Sequence, residues 1–164
     1  VPFLFQIILN KTEKEEVFYQ DIEGINALLM SIYVQEIDFI KILLPIYKEK
    51  ALLLDKKGAS VLHWAAQTEN LAIFQLILDF SGLESLITSK DYKGNTVLHY
   101  MAEACDKIDM YEEFFKRGGE LGARNMDGLT AEDVAEAKEN VIGKEILESF
   151  NKDKVYNQGW CKLI

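Results

Sequence analysis

The chain has 164 residues, enough for one well-buried core, and its 10 Gly and 2 Pro are too few for a disordered protein. Its 18 basic and 27 acidic side chains give a formal charge of −9. That balance disfavours nucleic acid or a bare anionic membrane as direct partners, because both are bound through Lys/Arg clusters. Two cysteines, Cys105 and Cys161, make no disulfide framework and fit a reducing, cytoplasmic compartment. No apolar run approaches the ~20 residues that span a bilayer.

In chain order, Val1 to Leu9 is apolar but lacks the basic start and small-residue cleavage site of a signal peptide. A start at Val1, without Met, is what a piece of a longer protein shows. Asn10-Lys11-Thr12 has the form of a glycosylation sequon, which reads as chance beside cysteines that look reduced. Phe3, Phe5, Ile7, Ile8 and Leu9 stand about one period ahead of similar residues downstream. Residues 1–20 are therefore expected to form the second helix of an earlier repeat or an N-terminal cap.

The first full unit, residues 21–54, opens Asp21-Ile-Glu-Gly24 and continues Ile25-Asn-Ala-Leu-Leu29. Phe39, Ile40, Ile42, Leu43 and Leu44 follow helical spacing and predict its second helix, with Pro45 near the end. The second unit, 55–90, reads Asp55-Lys-Lys-Gly-Ala-Ser-Val-Leu-His-Trp-Ala-Ala66, then the apolar run Ile73-Phe-Gln-Leu-Ile-Leu78. The third, 91–124, repeats the opening as Asp91-Tyr-Lys-Gly-Asn-Thr-Val-Leu-His-Tyr-Met-Ala102. It needs an extra residue or two around Lys107 to Asp109 before helix resumes at Met110, and Arg117-Gly118-Gly119 reads as a helix end. The fourth, 125–150, opens Asn125-Met-Asp-Gly-Leu-Thr-Ala-Glu-Asp-Val-Ala135. Its Glu132, Asp133, Glu136 and Lys138 must face water, the mark of a terminal unit with no outer neighbour. Ile142, Ile146, Leu147 and Phe150 supply its second helix, and residues 151–164 are expected to be a flexible tail.

The turn glycines Gly24, Gly58, Gly94 and Gly128 are spaced 34, 36 and 34 residues apart, a repeat period. A turn needing positive φ or close chain approach selects Gly. The Asp-x-x-Gly turn followed by Leu-His-x-Ala resembles the ankyrin repeat. The resemblance implies an all-α solenoid of stacked helix-turn-helix units, about four repeats, over residues 1–150. It departs from the family pattern where Leu29 replaces the usual His. Stacked pairs share a continuous core that no single pair can bury, and Ala65, Ala66 and Ala102 are small enough for close packing of inner helices.

The two histidines, His63 and His99, occupy one repeat position, so the resemblance implies a scaffold role in which each imidazole bonds backbone of the neighbouring turn. Two histidines one repeat apart do not supply the three or four converging ligands of a metal site, and no cofactor is expected. Cys105 lies six residues after His99, and a thiol–imidazole pair is weighed against a buried small residue. An enzyme using that pair, or one whose catalytic domain lies elsewhere in a longer protein, is the alternative to a non-enzymatic module. The carboxylate pairs Glu15/Glu16, Glu112/Glu113 and Glu132/Asp133 are read as solvated faces rather than acid–base sites.

In this family partners are read by turn tips and by the exposed side of the inner helices. Carried over, the tips are Ile22, Glu23, Lys56, Lys57, Tyr92, Lys93, Met126 and Asp127. The inner-helix positions are Met30, Tyr33 and Val34, then Trp64, Gln67 and Thr68, then Tyr100, Glu103 and Ala104. The expected function is a protein–protein interaction module, an adaptor or scaffold for a protein partner. Trp64 and Tyr100 are either anchors for that partner or packing between adjacent helices. Finally, Cys161-Lys-Leu-Ile164 loosely fits a prenylation box, with Lys162 departing from it. Lipidation of Cys161 would bring the protein to a membrane, as in some bacterial ankyrin-repeat effectors that act inside host cells.

Overall fold

Each unit is built outward from its turn. The Asp21, Asp55 and Asp91 carboxylates each accept the backbone N–H groups two and four residues on, at 2.8 or 2.9 Å. Asn125 does the same with its amide oxygen at 3.0 Å. These side chains pin a hairpin whose glycine, Gly24, Gly58, Gly94 or Gly128, has φ between +77° and +80°. The hairpins then stack. Lys56 N–H donates to the Glu23 carbonyl at 3.0 Å, Tyr92 to Lys57 and Met126 to Lys93 at 2.8 Å. The glycine is thus needed twice, for its positive φ and for the neighbour lying against it. A Cβ on Gly58 would come within 2.7 Å of the Tyr92 ring, whereas one on Gly128, in the last hairpin, would meet nothing within 4 Å.

The computed structural model describes residues 18–49 and 53–160, and among these there are eight α-helices and no strands. The inner helices are α1 (Ala27–Tyr33), α3 (Val61–Ala66), α5 (Val97–Ala104) and α7 (Ala131–Ala137). The outer helices are α2 (Ile37–Glu49), α4 (Leu71–Leu78), α6 (Ile108–Lys116) and α8 (Val141–Trp160). A short 3-10 turn, Glu84–Thr88, joins α4 to the third hairpin. Each inner helix packs on the next, and α4, α6 and α8 follow one another along the outside. The architecture is the all-helical solenoid that the ankyrin resemblance implied.

The core follows the phase of the units. Leu28, Leu62 and Leu98 are the large inner-helix residues, none more than 1% exposed. Ala65, Ala66 and Ala102 are fully buried where the inner helices approach each other. In the fourth unit the corresponding apolar positions turn polar. Glu132 stands where the earlier units have Leu28, Leu62 and Leu98, and the exposed Glu136 stands where they have Ile32, Ala66 and Ala102. On α8, Lys144 and Glu148 replace the apolar residues that α2, α4 and α6 turn inward. Lys144 pairs with Glu136 at 2.9 Å, which leaves the last unit with a charged outer face.

The connection from inner to outer helix shows where the third unit's extra residue goes. In the first, second and fourth units a left-handed residue makes the turn: Gln35 (φ 60°), Glu69 (φ 54°) and Glu139 (φ 60°). At the equivalent place in the third unit Cys105 has φ −71°, and the helix starts one residue later in phase. The longer connection removes the need for a left-handed backbone. Helix α6 begins at Ile108 rather than Met110 and closes with two bonds, Gly118 N–H to Phe115 and Gly119 N–H to Phe114, with Gly118 at φ 89°. That is the Schellman arrangement, and it satisfies carbonyls the helix end would otherwise leave bare.

Three features differ from the sequence reading. Helix α2 runs through Pro45 to Glu49; the carbonyl that loses its intrahelical donor is that of Lys41, an exposed residue. Helix α8 passes Phe150 and continues to Trp160, because residues 151–158 contain neither Gly nor Pro, so the stretch from 151 to 160 is helix rather than tail. Glu113, read as solvated, is only 6% exposed. It holds Arg117 at 2.7 Å and takes a bond from Gln75 at 3.4 Å, while Arg117 also reaches Asp79 of the preceding outer helix. The Arg117 guanidinium keeps the Glu113 carboxyl below its ordinary range. The apolar segment before Phe18, with Phe3, Phe5, Ile7, Ile8 and Leu9, lies outside the described residues, as does Cys161.

Candidate functional site

The histidines organise the ground beneath the site. Ser60 N–H and Oγ approach His63 Nδ1 at 3.1 and 2.8 Å, which makes Nδ1 an acceptor. Nε2–H then donates to the Asn95 carbonyl of the next hairpin at 3.2 Å. His99 repeats this with Thr96 and with the Leu129 carbonyl at 3.0 Å. Each imidazole closes a capping box at the start of its own helix and crosses to the following unit. Burial lowers the His63 pKa, which keeps that ring neutral.

The same bonds decide what surrounds Cys105. Both ring nitrogens of His99 are engaged elsewhere, and the Cys105 Sγ lies 4.0 Å from the Lys107 carbonyl. Burial pushes its thiol up to about 11, the opposite of an activated nucleophile.

Directly after each histidine comes an aromatic ring held by the turn. Trp64 Nε1–H donates to Asp55 Oδ2 at 3.1 Å, and Tyr100 Oη–H donates to Asp91 Oδ2 at 3.0 Å. One carboxylate oxygen therefore shapes the hairpin and the other fixes the ring. Burial works against the Asp91 charge, but bonds from Asn95, Tyr100 and Lys93 hold its carboxyl below the usual range. Burial and the Asp91 charge together raise the Tyr100 phenol. Both rings are half-buried. Tyr33 meets Trp64 edge-on with ring centres 6.5 Å apart, and Tyr100 meets His63 edge-on at 4.8 Å. Each ring thus packs between units while keeping part of its surface open.

Between the hairpin tips and the inner helices runs a groove of about 740 Å³. Lys56, Lys57, Tyr92 and Lys93 line it from the tips, and Trp64, Gln67, Tyr100 and Glu103 from the helices. Gln67 donates to Glu103 at 3.2 Å, and Lys138 pairs with Glu103 at 3.4 Å. Of the anticipated positions, Ile22, Glu23, Met30, Tyr33, Val34, Thr68, Ala104 and Met126 do not line the groove. Met30 and Tyr33 are exposed on α1, 45% and 67%, and Thr68 turns its hydroxyl to the Ala65 carbonyl. The tip residue Asp127 also lines it, and the structure adds Asn95 and Leu129 from the hairpins and Val134, Ala137 and Lys138 from α7 and its C-cap. The last three stand one unit beyond Tyr100, Glu103 and Ala104. The same phase carried into the fourth unit points to them.

Stacked helix pairs, phased hairpins and a groove along both define a helical-repeat protein that presents a surface rather than an enclosed pocket. The family model for ankyrin repeats (three copies) matches residues 28–127, and the chain belongs to the ankyrin-repeat family. Over 75 residues it is 31% identical to NF-kappa-B inhibitor zeta of Homo sapiens, and the proteins of Bos taurus and Mus musculus match to the same extent. The matched stretch is 44% of this chain and 10% of each relative. Ankyrin repeats form a protein–protein interaction module. Among the described residues, no helix is long and apolar enough to cross a membrane.

Proposed function

We propose that this chain is a non-enzymatic adaptor or scaffold that holds a protein partner in the groove between hairpin tips and inner helices. One observation carries the reading: residues that the repeat scaffold leaves free in successive units converge on one groove, around two aromatic rings fixed by Asp55 and Asp91. Rings held before binding lose little freedom when a partner arrives, which is how aromatic anchors come to dominate an interface. The engaged nitrogens of His99 and the raised thiol of Cys105 support a surface without that nucleophile. The relatives are named as inhibitors of NF-kappa-B, but a match over a tenth of their length supports a shared repeat surface, not a shared partner.

A photo-crosslinking side chain placed at Gln67, in the groove, is compared with one at Glu112, exposed on outer helix α6. The Gln67 probe is expected to capture a discrete partner that the Glu112 probe does not, and Trp64→Phe or Tyr100→Phe is expected to weaken that capture without unfolding the chain. Equal capture from both positions sinks the groove as the binding surface.

A further inference from the structure

The charged side chains along the groove are not equally free. Asp55 and Asp91 spend their carboxylate oxygens on hairpin N–H groups and on the two rings. Glu103 is taken by Gln67 and Lys138. The cations at the two middle tips are in a different position. Lys57 is 71% exposed and comes only within 4.0 Å of an exposed Glu23, a separation at which the two charges barely neutralise each other. Lys56 Nζ rests on the uncharged Ile22 carbonyl at 2.9 Å and keeps its full charge. Lys93 is exposed and has no ion pair among the described residues. In a chain of formal charge −9, the exposed charges at the two middle tips are lysines, while the ionised Asp55 and Asp91 carboxylates lie buried beneath them and the exposed Asp127 stands one tip further on.

The geometry adds a spacing. Lys57 and Lys93 sit at the same place on adjacent hairpins, and stacked helices lie ~10 Å apart. A chain in the extended polyproline II form rises ~3.1 Å per residue with about three residues per turn, so every third side chain of a ligand lying along the tips faces the same way and meets a new tip. Between the two lysines, Tyr92 is 67% exposed and lays its ring against Gly58, offering an apolar step between the charges. The acids that make the chain negative include Glu132, Glu136 and Glu148 on the fourth unit. At physiological salt their field fades over ~8 Å, so local charge governs what the middle tips accept.

We propose that the groove receives an extended acidic segment of a partner protein, with carboxylates about three residues apart seated on Lys57 and Lys93; this rests on the groove being the binding surface. The segment runs along the stack of hairpins, its backbone beside Tyr92 and its intervening side chains toward Trp64 and Tyr100. Two synthetic peptides of about a dozen residues test this, one repeating Glu-Ser-Thr and one repeating Lys-Ser-Thr, each titrated into the isotope-labelled chain and followed by amide NMR shifts. The acidic peptide is expected to move the amides of Lys57, Tyr92 and Lys93, to weaken as salt is raised, and to lose roughly tenfold in affinity in the double variant Lys57→Glu, Lys93→Glu. The proposal is overturned if the basic peptide moves those amides as strongly, if the acidic shifts fall outside the groove, or if neither peptide binds. If crosslinking from Gln67 persists in any of those cases, the groove stands and only the acidic ligand is lost. If it fails too, both are lost.

Discussion

The junction between the first and second units and the junction between the second and third stack the same hairpin on the same kind of helix pair, yet side chains hold them differently. At the second junction buried His63 joins its own helix cap to the Asn95 carbonyl of the next unit. At the first, the equivalent Leu29 is fully buried and carries no polar group to cross; Asn26 caps α1, accepting from Leu29 N–H at 3.0 Å. Three polar links there lie at the rim. Asn70 donates to Gln35 at 2.9 Å, Gln35 donates to the Thr68 carbonyl at 3.3 Å, and Lys56 reaches Ile22. What the two junctions share is the backbone bond between hairpin tips. The lesson is that the tip bond and the apolar core suffice to stack a unit, while the histidine adds a buried polar link that must then stay satisfied.

The largest expected effect turns the second junction into the first. His63→Leu leaves Ser60 N–H unpaired in the interior, takes a partner from Ser60 Oγ and removes the link to the Asn95 carbonyl, which keeps its bond from Asp91 N–H, and should cost about 3 kcal/mol. Adding Ser60→Asn recreates the Asn26 and Leu29 pairing and should return about 1 kcal/mol through the new cap. Urea unfolding of the single and double variants measures both. If the second substitution returns nothing, the two junctions are not interchangeable solutions.

Next in size are the hairpin glycines. Gly58→Ala forces a left-handed alanine and drives its Cβ into the Tyr92 ring, whereas Gly128→Ala meets only the first penalty. The backbone penalty alone is about 1–2 kcal/mol. Thermal melts should therefore show a clearly larger loss for Gly58→Ala, and equal losses would mean that the tips do not stack as tightly as the Tyr92 contact implies.

A smaller effect separates the junctions by pH. Burial lowers the His63 pKa from 6.5, so the folded state resists taking a proton that the unfolded chain accepts. The stability this neutral ring contributes is whole above pH 6.5 and drains away as pH falls from 6.5 through the lowered value. The melting temperature of the natural chain should drop between pH 7.5 and 5.5, and His63→Leu should remove part of that drop. An identical slope in the variant would place the titrating group elsewhere. Glu113 and Asp91, whose carboxyls are held low, add their own loss only at more acid pH.

Much of this was legible in the residues because the scaffold repeats. Phased glycines fixed the units, and the histidines' shared position foretold their bonds to the next hairpin. Contacts that the repeat pattern does not name were harder to read. Glu113 sits at an outer-helix position that Ile42, Leu76 and Ile146 fill with apolar groups, and only Arg117 one turn later hints that a carboxylate can be buried there. The carboxylates of Asp55 and Asp91 read as turn formers; their second oxygens hold Trp64 and Tyr100, a contact nine residues away that no local pattern encodes. The groove's extension over Val134, Ala137 and Lys138 was in phase all along, hidden because the polar fourth unit reads as a cap.

The smallest expected effect concerns the turn between inner and outer helices, and its sign is favourable. Glu139 holds φ 60° without being glycine, while the longer third connection lets Cys105 stay at φ −71°. Left-handed backbone costs a residue with a Cβ about 1–2 kcal/mol, and glycine's extra freedom in the unfolded chain takes back part of that relief. Glu139→Gly should therefore raise stability by about 0.5–1 kcal/mol. Cys105→Gly has no strain to relieve and empties a buried site that is 1% exposed, so it should destabilise. Opposite shifts in the two melting curves would show that one inserted residue exchanges backbone strain for chain length. Shifts of the same sign would mean that the left-handed turn carries no strain.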